Sequence, residues 1–432
     1  MAKRRAVIVG GSRTPFAPVF GPLKDMDAIA LGAAAVDGLI KSSGVDVQEV
    51  DGVVWGGVVL PPLAPNVARE IVIDLNLPPT AQGKTVSRAC ASGLQAVTDA
   101  VAAIENGDAD VLIAGGGDSS SNVPLTMPSE VMRAVGPFGL GKAGLWPTLK
   151  KVLGLLPFRW LPKQPEVAER STGETMGVSA EHMAKVNGIT RQAQDELAVR
   201  SQATAAAAWE SGALAAEVAP VTTPSGRVVD KDLIMRPGVT LQKLSRLKPA
   251  FDKTSGKGTL TAGNSSALTD GAAAVLIMSE EKAKALGMTP LATLRSWSYV
   301  GVDPTDQLLI GPAIAMPKAL KKAGLTMAEM DLIDIHEAFA AQVLSVTKKL
   351  ADDEWCGEQG CSSNCAVDEE KLNVLGGSIA LGHPFAATGA RMVTTMAHEL
   401  HRSGKDYAVL GICAAGGLGA AAVMERYKPD ED

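Results

Sequence analysis

A chain of 432 residues, 46% of them apolar, has material for two packed units with large buried cores. The formal net charge of -6, with no broad basic stripe, argues against nucleic acid as the main partner. The five cysteines are too few and too unevenly spread for a secreted disulfide framework, and no stretch approaches the roughly 20 apolar residues that span a bilayer. A reducing compartment, the cytoplasm, is the expected setting.

In chain order, Ala6–Gly10 reads as a first buried strand running into a Gly turn, and the basic residues before it lack the long apolar run of a signal peptide. Lys41-Ser-Ser-Gly-Val-Asp-Val-Gln-Glu-Val-Asp closes a helix at Gly44 and leads through an acidic connector to a strand at Val53–Trp55. Cys90 then precedes an Ala-rich helix, followed by a strand at Val111–Ala114 and a Gly run. From Ser119 to Pro249 the plan changes to Pro, Gly and charge. One clear helix is predicted there, from Arg191 to Trp209, capped by Thr190 and stopped at Gly212.

Inside this stretch, residues 149–163 set Lys150, Lys151, Arg159 and Lys163 among Leu, Val, Phe and Trp. Two readings fit: a segment lying on a membrane surface or partner, and a basic hairpin packed on the protein itself, since Pro157 and Pro162 break any long helix. Leu260–Met278 then returns to the earlier plan as a Gly/Ser/Asn loop followed by a helix or strand.

Lys322-Ala-Gly-Leu-Thr-Met-Ala-Glu-Met-Asp-Leu-Ile repeats the earlier pattern. Gly324, Glu329 and Asp331 fall on Gly44, Glu49 and Asp51, and Leu332–Ile335 is the matching strand. His383 then precedes a helix, and a strand at Tyr407–Gly411 leads to Cys413 and another Gly run. The predicted fold is α/β, with two similar halves of strands flanked by helices (1–118 with 250–280, and 281–432) and an inserted loop domain over 119–249. Catalytic groups from related positions would converge near a pseudo-twofold axis.

Four elements carry chemistry. Cys90, in a Cys-Ala-Ser-Gly turn at a helix start, would have its thiolate favoured by backbone N–H groups and the helix dipole; an inert buried Cys is the alternative. His383 lies in a Gly-rich approach with Pro384 in the next helix's first turn, where a neutral imidazole is favoured and can take the Cys90 proton. Cys413 ends a strand before a Gly/Ala turn whose N–H groups can face an oxyanion. A thiol of pKa about 8.5 can also give and take a proton from carbon near neutral pH. His336, in His-Glu-Ala-Phe, ends the second repeat's strand, with pairing to Glu337 as the structural alternative.

In this order (Cys-Ala-Ser-Gly, His-Glu-Ala-Phe, Asn-x-x-Gly-Gly…Gly-His-Pro-x-x-x-Thr-Gly, Cys-Ala-Ala-Gly-Gly-x-Gly) the sequence resembles the thiolase family over essentially its whole length. The resemblance implies the thiolase fold, with two αβαβα-layered halves and a loop domain. It also implies cleavage of 3-ketoacyl-CoA with CoA, and a homodimer or dimer of dimers. Cys90 would be the nucleophile, activated by His383, and Cys413 the acid/base at the α-carbon of acetyl-CoA. His336 and His383 would border the thioester-oxygen site, with the N–H groups of Cys90 and Ala415 forming the second oxyanion site.

Ser266, Met176 and Arg236 would contact CoA, which is a co-substrate; no metal or other cofactor is implied. Many thiolases carry Asn where this chain has His336. His-Glu-Ala-Phe with Gly-His-Pro-Phe-Ala-Ala-Thr-Gly resembles the branch holding β-subunits of the fatty-acid-oxidation trifunctional complex. In that branch a hydratase/dehydrogenase α-subunit is a frequent partner, and the region of 149–163 is tied to membrane contact. Ketoacyl synthases share the fold but lack a second catalytic cysteine. Cys356, Cys361 and Cys365 have no familiar zinc spacing and read as an exposed, adaptable insertion, and His398 and His401 as surface residues.

Overall fold

Residues 6–13, Ala-Val-Ile-Val-Gly-Gly-Ser-Arg, are buried at every position, which marks a strand covered on both faces. The computed structural model describes residues 4–155 and 168–429. Its main strands are β1 (Ala6–Arg13), β2 (Gly52–Gly56), β3 (Gln82–Val86), β4 (Val111–Ser119), β5 (Thr269–Ser279), β6 (Ala292–Gly301), β7 (Leu332–Ile335), β8 (Tyr407–Ala414) and β9 (Leu418–Arg426). They form one sheet in the order β7-β8-β9-β6-β1-β5-β4-β2-β3.

The two halves of that order have the same plan. In the first, β2 runs parallel to β3 and β4, and β5 is antiparallel to β4 and β1. In the second, β7 runs parallel to β8, and β9 is antiparallel to β8 and β6. Ile333 makes a parallel bridge to Leu372, in the place that β3 holds in the first half. The halves meet edge to edge where Ile8 pairs with Ala292. The stretch undecided between helix and strand is β5, an Ala/Val run buried at all positions.

Helices α1 (Ala28–Ser43), α2 (Ser92–Asn106), α3 (Met176–Val186), α4 (Arg191–Glu210), α5 (Pro312–Ala323), α6 (Ala340–Leu350) and α7 (Ala387–Ser403) flank this sheet or the site. The expected cap of α4 is present, with the Thr190 side chain accepting from Ala193 N. The repeat has a physical basis. Gly44 and Gly324 end α1 and α5 in the left-handed region, at φ 71 and 70. Asp51 accepts from Asp110 N and Val111 N at 2.7 and 2.9 Å, and Asp331 from Asp406 N and Tyr407 N at 2.9 and 3.1 Å. Each aspartate thus pins the start of the strand beside its own. The matched glutamates diverge: Glu329 closes a capping box with Thr326, whereas Glu49 pairs with Lys282.

Helices α2 and α7 approach closely because glycine lies at their crossing. A Cβ on Gly93 would run into Ala386 O, and one on Gly389 into Leu94 N. Of the stretch 119–249, Val123–Val167 belongs to a separate compact unit, and residues from Ala168 onward belong to the main one. That smaller unit carries helices Ser129–Gly139 and Leu145–Leu153 and exposes Leu140 and Trp146. Of the basic, apolar segment 149–163, residues 156–163 lie outside the described residues. Among the described residues no helix is long and apolar enough to cross a membrane.

Candidate active site

Cys90 sits two residues before α2, after Ala89 in the left-handed region at φ 45. That conformation is strained for alanine, at an order of 1–3 kcal/mol, and is held by a strap. Ser92 Oγ donates to Ala89 O at 2.6 Å and accepts from Arg88 N at 2.7 Å. The turn therefore presents the thiol in a fixed direction. His383 Nε2 lies 3.2 Å from Cys90 Sγ, and its Nδ1 lies 2.6 Å from Thr388 Oγ1 in the first turn of α7.

Two buried contacts aim the His383 loop. His383 N donates to Ala267 O, and Ala386 N donates to Asp118 Oδ2 at 2.8 Å. The other Asp118 oxygen takes Val58 N and Val59 N. Burial pushes the Asp118 carboxyl up to about 7 in spite of these three donors. His383 precedes the start of α7 by a turn instead of capping it. Its pKa goes down to about 3 because of burial first and Arg391 second, so the neutral imidazole expected from a helix dipole is present for another reason.

The expectation for Cys90 fails in sign. Its thiol is pushed up to about 12, by burial first; Asp118 adds to the rise, while the N–H groups of Ala415 and of Cys90 itself oppose it. Desolvation outweighs the two N–H groups and the helix start. The resting pair is thus a neutral thiol against a neutral imidazole. The same two N–H groups, of Ala415 and Cys90, are those expected to form the second oxyanion site, and both lie against the Cys90 sulfur.

His336, at the end of β7, is also buried, and its ring centroid lies 4.2 Å from that of His383. Its Nδ1 is 2.9 Å from Ser378 Oγ, which accepts from Arg391 Nη2 at 3.4 Å. Arg391 can only donate, so the Ser378 hydroxyl accepts from it, and the remaining hydroxyl capacity serves His336 Nδ1 in either imidazole tautomer. Among the described residues, His336 Nε2 is buried without a hydrogen-bond partner. Burial, then His383 and Arg391, hold His336 well below its ordinary value, so it stays neutral.

Glu337 does not pair with His336. Its carboxylate accepts from Ser201 Oγ at 2.6 Å, Asn373 Nδ2 at 2.8 Å and Ile379 N at 3.1 Å, and it occupies the space a Cβ on Gly377 would need. Asn373 in turn bonds both Ile335 N and Ile335 O, tying the Gly-rich loop to the strand that carries His336.

Cys413 is buried near the end of β8, before a turn with Gly416 and Gly417 left-handed at φ 86 and 66. Burial, and then the nearby charge of a Cys90 thiolate, push its thiol well above the ordinary value. The expected pKa near 8.5 therefore does not hold in the free site; acylation of Cys90 would remove the second cause.

The expected CoA contacts divide. Ser266 donates through both N and Oγ to Ala338 O at 3.0 Å, just beyond His336. Arg236 is exposed and lines a cleft with Gln202, Ser265, Ala267 and Ile379, beside the His383 loop. Met176, half-buried at the start of α3, packs against the core that holds Cys413 and Phe339, and is not in that cleft's lining.

The sequence assigns no role to Asp118, Ser378, Arg391 or Asp334, and Thr388 stands in the Gly-His-Pro-x-x-x-Thr-Gly motif without one. Asp118 had one visible sign, a carboxylate ending a buried Gly-Gly-Gly strand. The buried Arg391–Asp334 pair, at 3.2 Å, had none. His398 is also corrected: it is half-buried, with Nε2 at 3.2 Å from Gly11 O inside β1, which runs on through Gly10 and Gly11 where a turn was expected.

The family model "Thiolase, N-terminal domain" matches residues 6–281, and "Thiolase, C-terminal domain" matches 288–426. A 3-ketoacyl-CoA thiolase of Pectobacterium atrosepticum is 47% identical over 98% of this chain and 96% of that protein. One of Serratia proteamaculans is 45% identical over 98% and 97%. Among solved structures, human mitochondrial 3-ketoacyl-CoA thiolase superposes with TM-score 0.83 at 31% identity, covering 99% of this chain and 100% of that one. Bacillus anthracis acetyl-CoA acetyltransferase gives TM-score 0.82 at 34% identity over 99% and 100%.

Proposed function

This chain belongs to the thiolase family, and we propose that it is an acetyl-CoA C-acyltransferase that cleaves 3-ketoacyl-CoA in fatty acid β-oxidation. The observation that carries this reading is the Cys90–His383 pair at 3.2 Å with a second buried thiol, Cys413, close enough to feel its charge. A ketoacyl synthase has no use for that second thiol.

In the proposed sequence, Cys90 Sγ attacks the 3-keto carbon as its proton passes to His383 Nε2. Transfer is concerted with attack, because neither the free thiolate nor the imidazolium is favoured at rest. The N–H groups of Cys90 and Ala415 take the developing oxyanion. The bond between C2 and C3 then breaks, and Cys413 gives its proton to C2, releasing acetyl-CoA. His336 Nε2–H and His383 steady the thioester oxygen of that leaving enolate. Cys413, now a thiolate, takes the proton from incoming CoA, whose sulfur attacks the acyl-cysteine; the shortened acyl-CoA leaves as the Cys90 sulfur departs and recovers its proton from His383 Nε2. Losing one oxyanion donor would raise the barrier by on the order of 3 kcal/mol.

Coenzyme A is the co-substrate, and no metal or other cofactor takes part in this scheme. Ser266, Arg236 and Met176 are the proposed CoA contacts, and residues 119–249 the proposed loop domain between halves 1–118 with 250–280 and 281–432. The same reading places the enzyme in the cytoplasm as a homodimer or dimer of dimers. A hydratase/dehydrogenase α-subunit is the proposed partner, with peripheral membrane contact through 149–163.

The test is CoA-dependent loss of acetoacetyl-CoA and of a long-chain 3-ketoacyl-CoA, for wild type and Cys90→Ala. Cys90-dependent turnover that favours the long chain is expected. Turnover confined to acetoacetyl-CoA would make the enzyme an acetyl-CoA acetyltransferase instead, and a folded protein inert on both would overturn the catalytic reading.

A further inference from the structure

Three cysteines outside the catalytic centre share one short segment. Asp353–Glu358 is a helix capped by Asp352, and it ends in a paired turn. Gly360 N donates to Gly357 O at 3.0 Å, Cys361 N donates to Cys356 O at 2.8 Å, and Gly360 is left-handed at φ 66. This is a Schellman ending, in which the residue giving the outer N–H and the residue accepting it commonly carry side chains that meet across the turn, and Cys356 here lies close enough to Cys361 to feel its charge. That contact is usually apolar. Here both members are cysteines.

The loop beyond folds back on the same helix. Asn364, left-handed at φ 57, donates its N–H to Asp353 Oδ1 at 2.7 Å, which returns Cys365 to the neighbourhood of Cys356. All three cysteines are free thiols; Cys356 and Cys365 are buried and Cys361 is half-exposed. Each sulfur rests on backbone carbonyls: Cys356 on Lys349 O, Cys361 on Ile314 O in α5, and Cys365 on Ser362 O. The proposed thiolase chemistry uses none of them.

We propose that Cys356 and Cys361 form a reversible disulfide when the protein meets a hydroperoxide, with half-exposed Cys361 as the thiol that reacts first. Cys361 Sγ attacks the peroxide oxygen, the O–O bond breaks, and the products are a Cys361 sulfenic acid and water or alcohol. Cys356 Sγ then displaces the hydroxyl from the Cys361 sulfur, which leaves as a second water carrying the Cys356 proton. Two electrons pass in all from the two sulfurs to the peroxide. A small dithiol reverses the bond by two exchange steps. Cys365, buried and pinned through Asn364, stays a thiol. Bond formation draws Cys361 off Ile314 O, loosening this segment from α5. Burial raises Cys361 against the opposing charges of Lys318 and Lys321, so the reaction quickens as pH rises.

The test uses full-length protein and hydrogen peroxide, followed by iodoacetamide and tryptic cleavage. Cleavage after Lys349 and Lys371 yields one peptide holding all three cysteines. After peroxide this peptide should lack the mass of two hydrogens and carry a single alkyl group, at Cys365. Prior treatment with dithiothreitol should restore three alkyl groups. Cys365→Ser should leave the disulfide intact, and Cys361→Ser should abolish it. Three alkylated cysteines, after a peroxide dose that has already blocked Cys90, would overturn the proposal. So would sulfinic acid at Cys361 without a disulfide, or a bond that uses Cys365.

Discussion

The strands β4 and β8 begin alike and end differently. Both start against a repeated aspartate, Asp51 or Asp331, which takes two backbone N–H groups. Strand β4 carries the buried carboxylate Asp118 one residue before its end and leaves the sheet for the long stretch 120–268 before β5. Strand β8 carries the buried thiol Cys413 one residue before its end and turns back into β9 through residues 415–417. The shared starts are scaffold. The ends, where the repeat is broken, face Cys90 and His383: Asp118 anchors Ala386 in the His383 loop, and Cys413 lies within electrostatic reach of Cys90. A duplicated frame has kept what holds strands in place and let the strand ends diverge into chemistry.

The largest expected effects separate the two thiols. Cys90→Ala should lower turnover by on the order of 10⁴-fold or more, as for loss of a nucleophile that acts as a unit with its base. It should also abolish acyl-enzyme formation while the fold stays intact. Cys413→Ala should block turnover comparably, yet leave acylation of Cys90 by a simple acyl donor in place, read by the mass of the trapped acyl-enzyme. Normal 3-ketoacyl-CoA cleavage by Cys413→Ala would remove the role given to the end of β8.

Next in size is the pH dependence of Cys90 alkylation by iodoacetamide. With the thiol at about 12 and His383 at about 3, the thiolate fraction is small at neutral pH. It grows about tenfold per pH unit, because a raised thiol pKa leaves the protonated form dominant until pH nears that value. Alkylation should therefore climb steadily from pH 6 to 9. A plateau across that range would mean a resting thiolate–imidazolium pair, with the helix start outweighing burial.

That contest shows what was legible in the sequence. The strands and helices around Gly44, Asp51, Gly324 and Asp331 were readable because local turn chemistry and apolar runs dictate them. Cys90, His383 and Cys413 were readable because each stands in a short Gly-containing motif at a turn, and His336 because it follows directly on the strand of the repeat. The protonation states were not readable, since they depend on how deeply distant segments bury the site. Nor was the Arg391–Ser378–His336 chain of contacts, which joins α7, the turn before it and the end of β7 only in the folded protein. Glu337 shows the same limit: adjacent to His336 in sequence, it turns the other way to hold Ser201 and Asn373.

A smaller effect tests how the two halves interlock. Gly93→Ala and Gly389→Ala each push a Cβ into backbone of the facing segment, so each should cost about 1–3 kcal/mol of stability, seen in denaturant midpoints. Their activities should differ. The new methyl at Gly93 meets Ala386 O in the loop that aims His383, where a displacement of roughly 1 Å can cost about 10²-fold in kcat. The new methyl at Gly389 meets Leu94 N within α2, beyond the Cys90 turn, and should lower kcat less. Equal losses of kcat would show that the crossing of α2 and α7, not the His383 loop, sets the 3.2 Å contact.

The smallest expected effect concerns the repeated aspartates themselves. Asp51→Ala and Asp331→Ala each remove a carboxylate that accepts two N–H groups, so each should destabilise by about 1–3 kcal/mol. Asp331 is the less exposed of the two and should fall toward the upper end. Neither carboxylate touches the site, so kcat should hold in both variants where the protein is folded. Parallel losses of stability at constant kcat would establish that the repeat is kept for what it does at strand starts. A neutral Asp51→Ala beside a costly Asp331→Ala would mean that only the second half still depends on its pin, and that the match in the first survives without an energetic role.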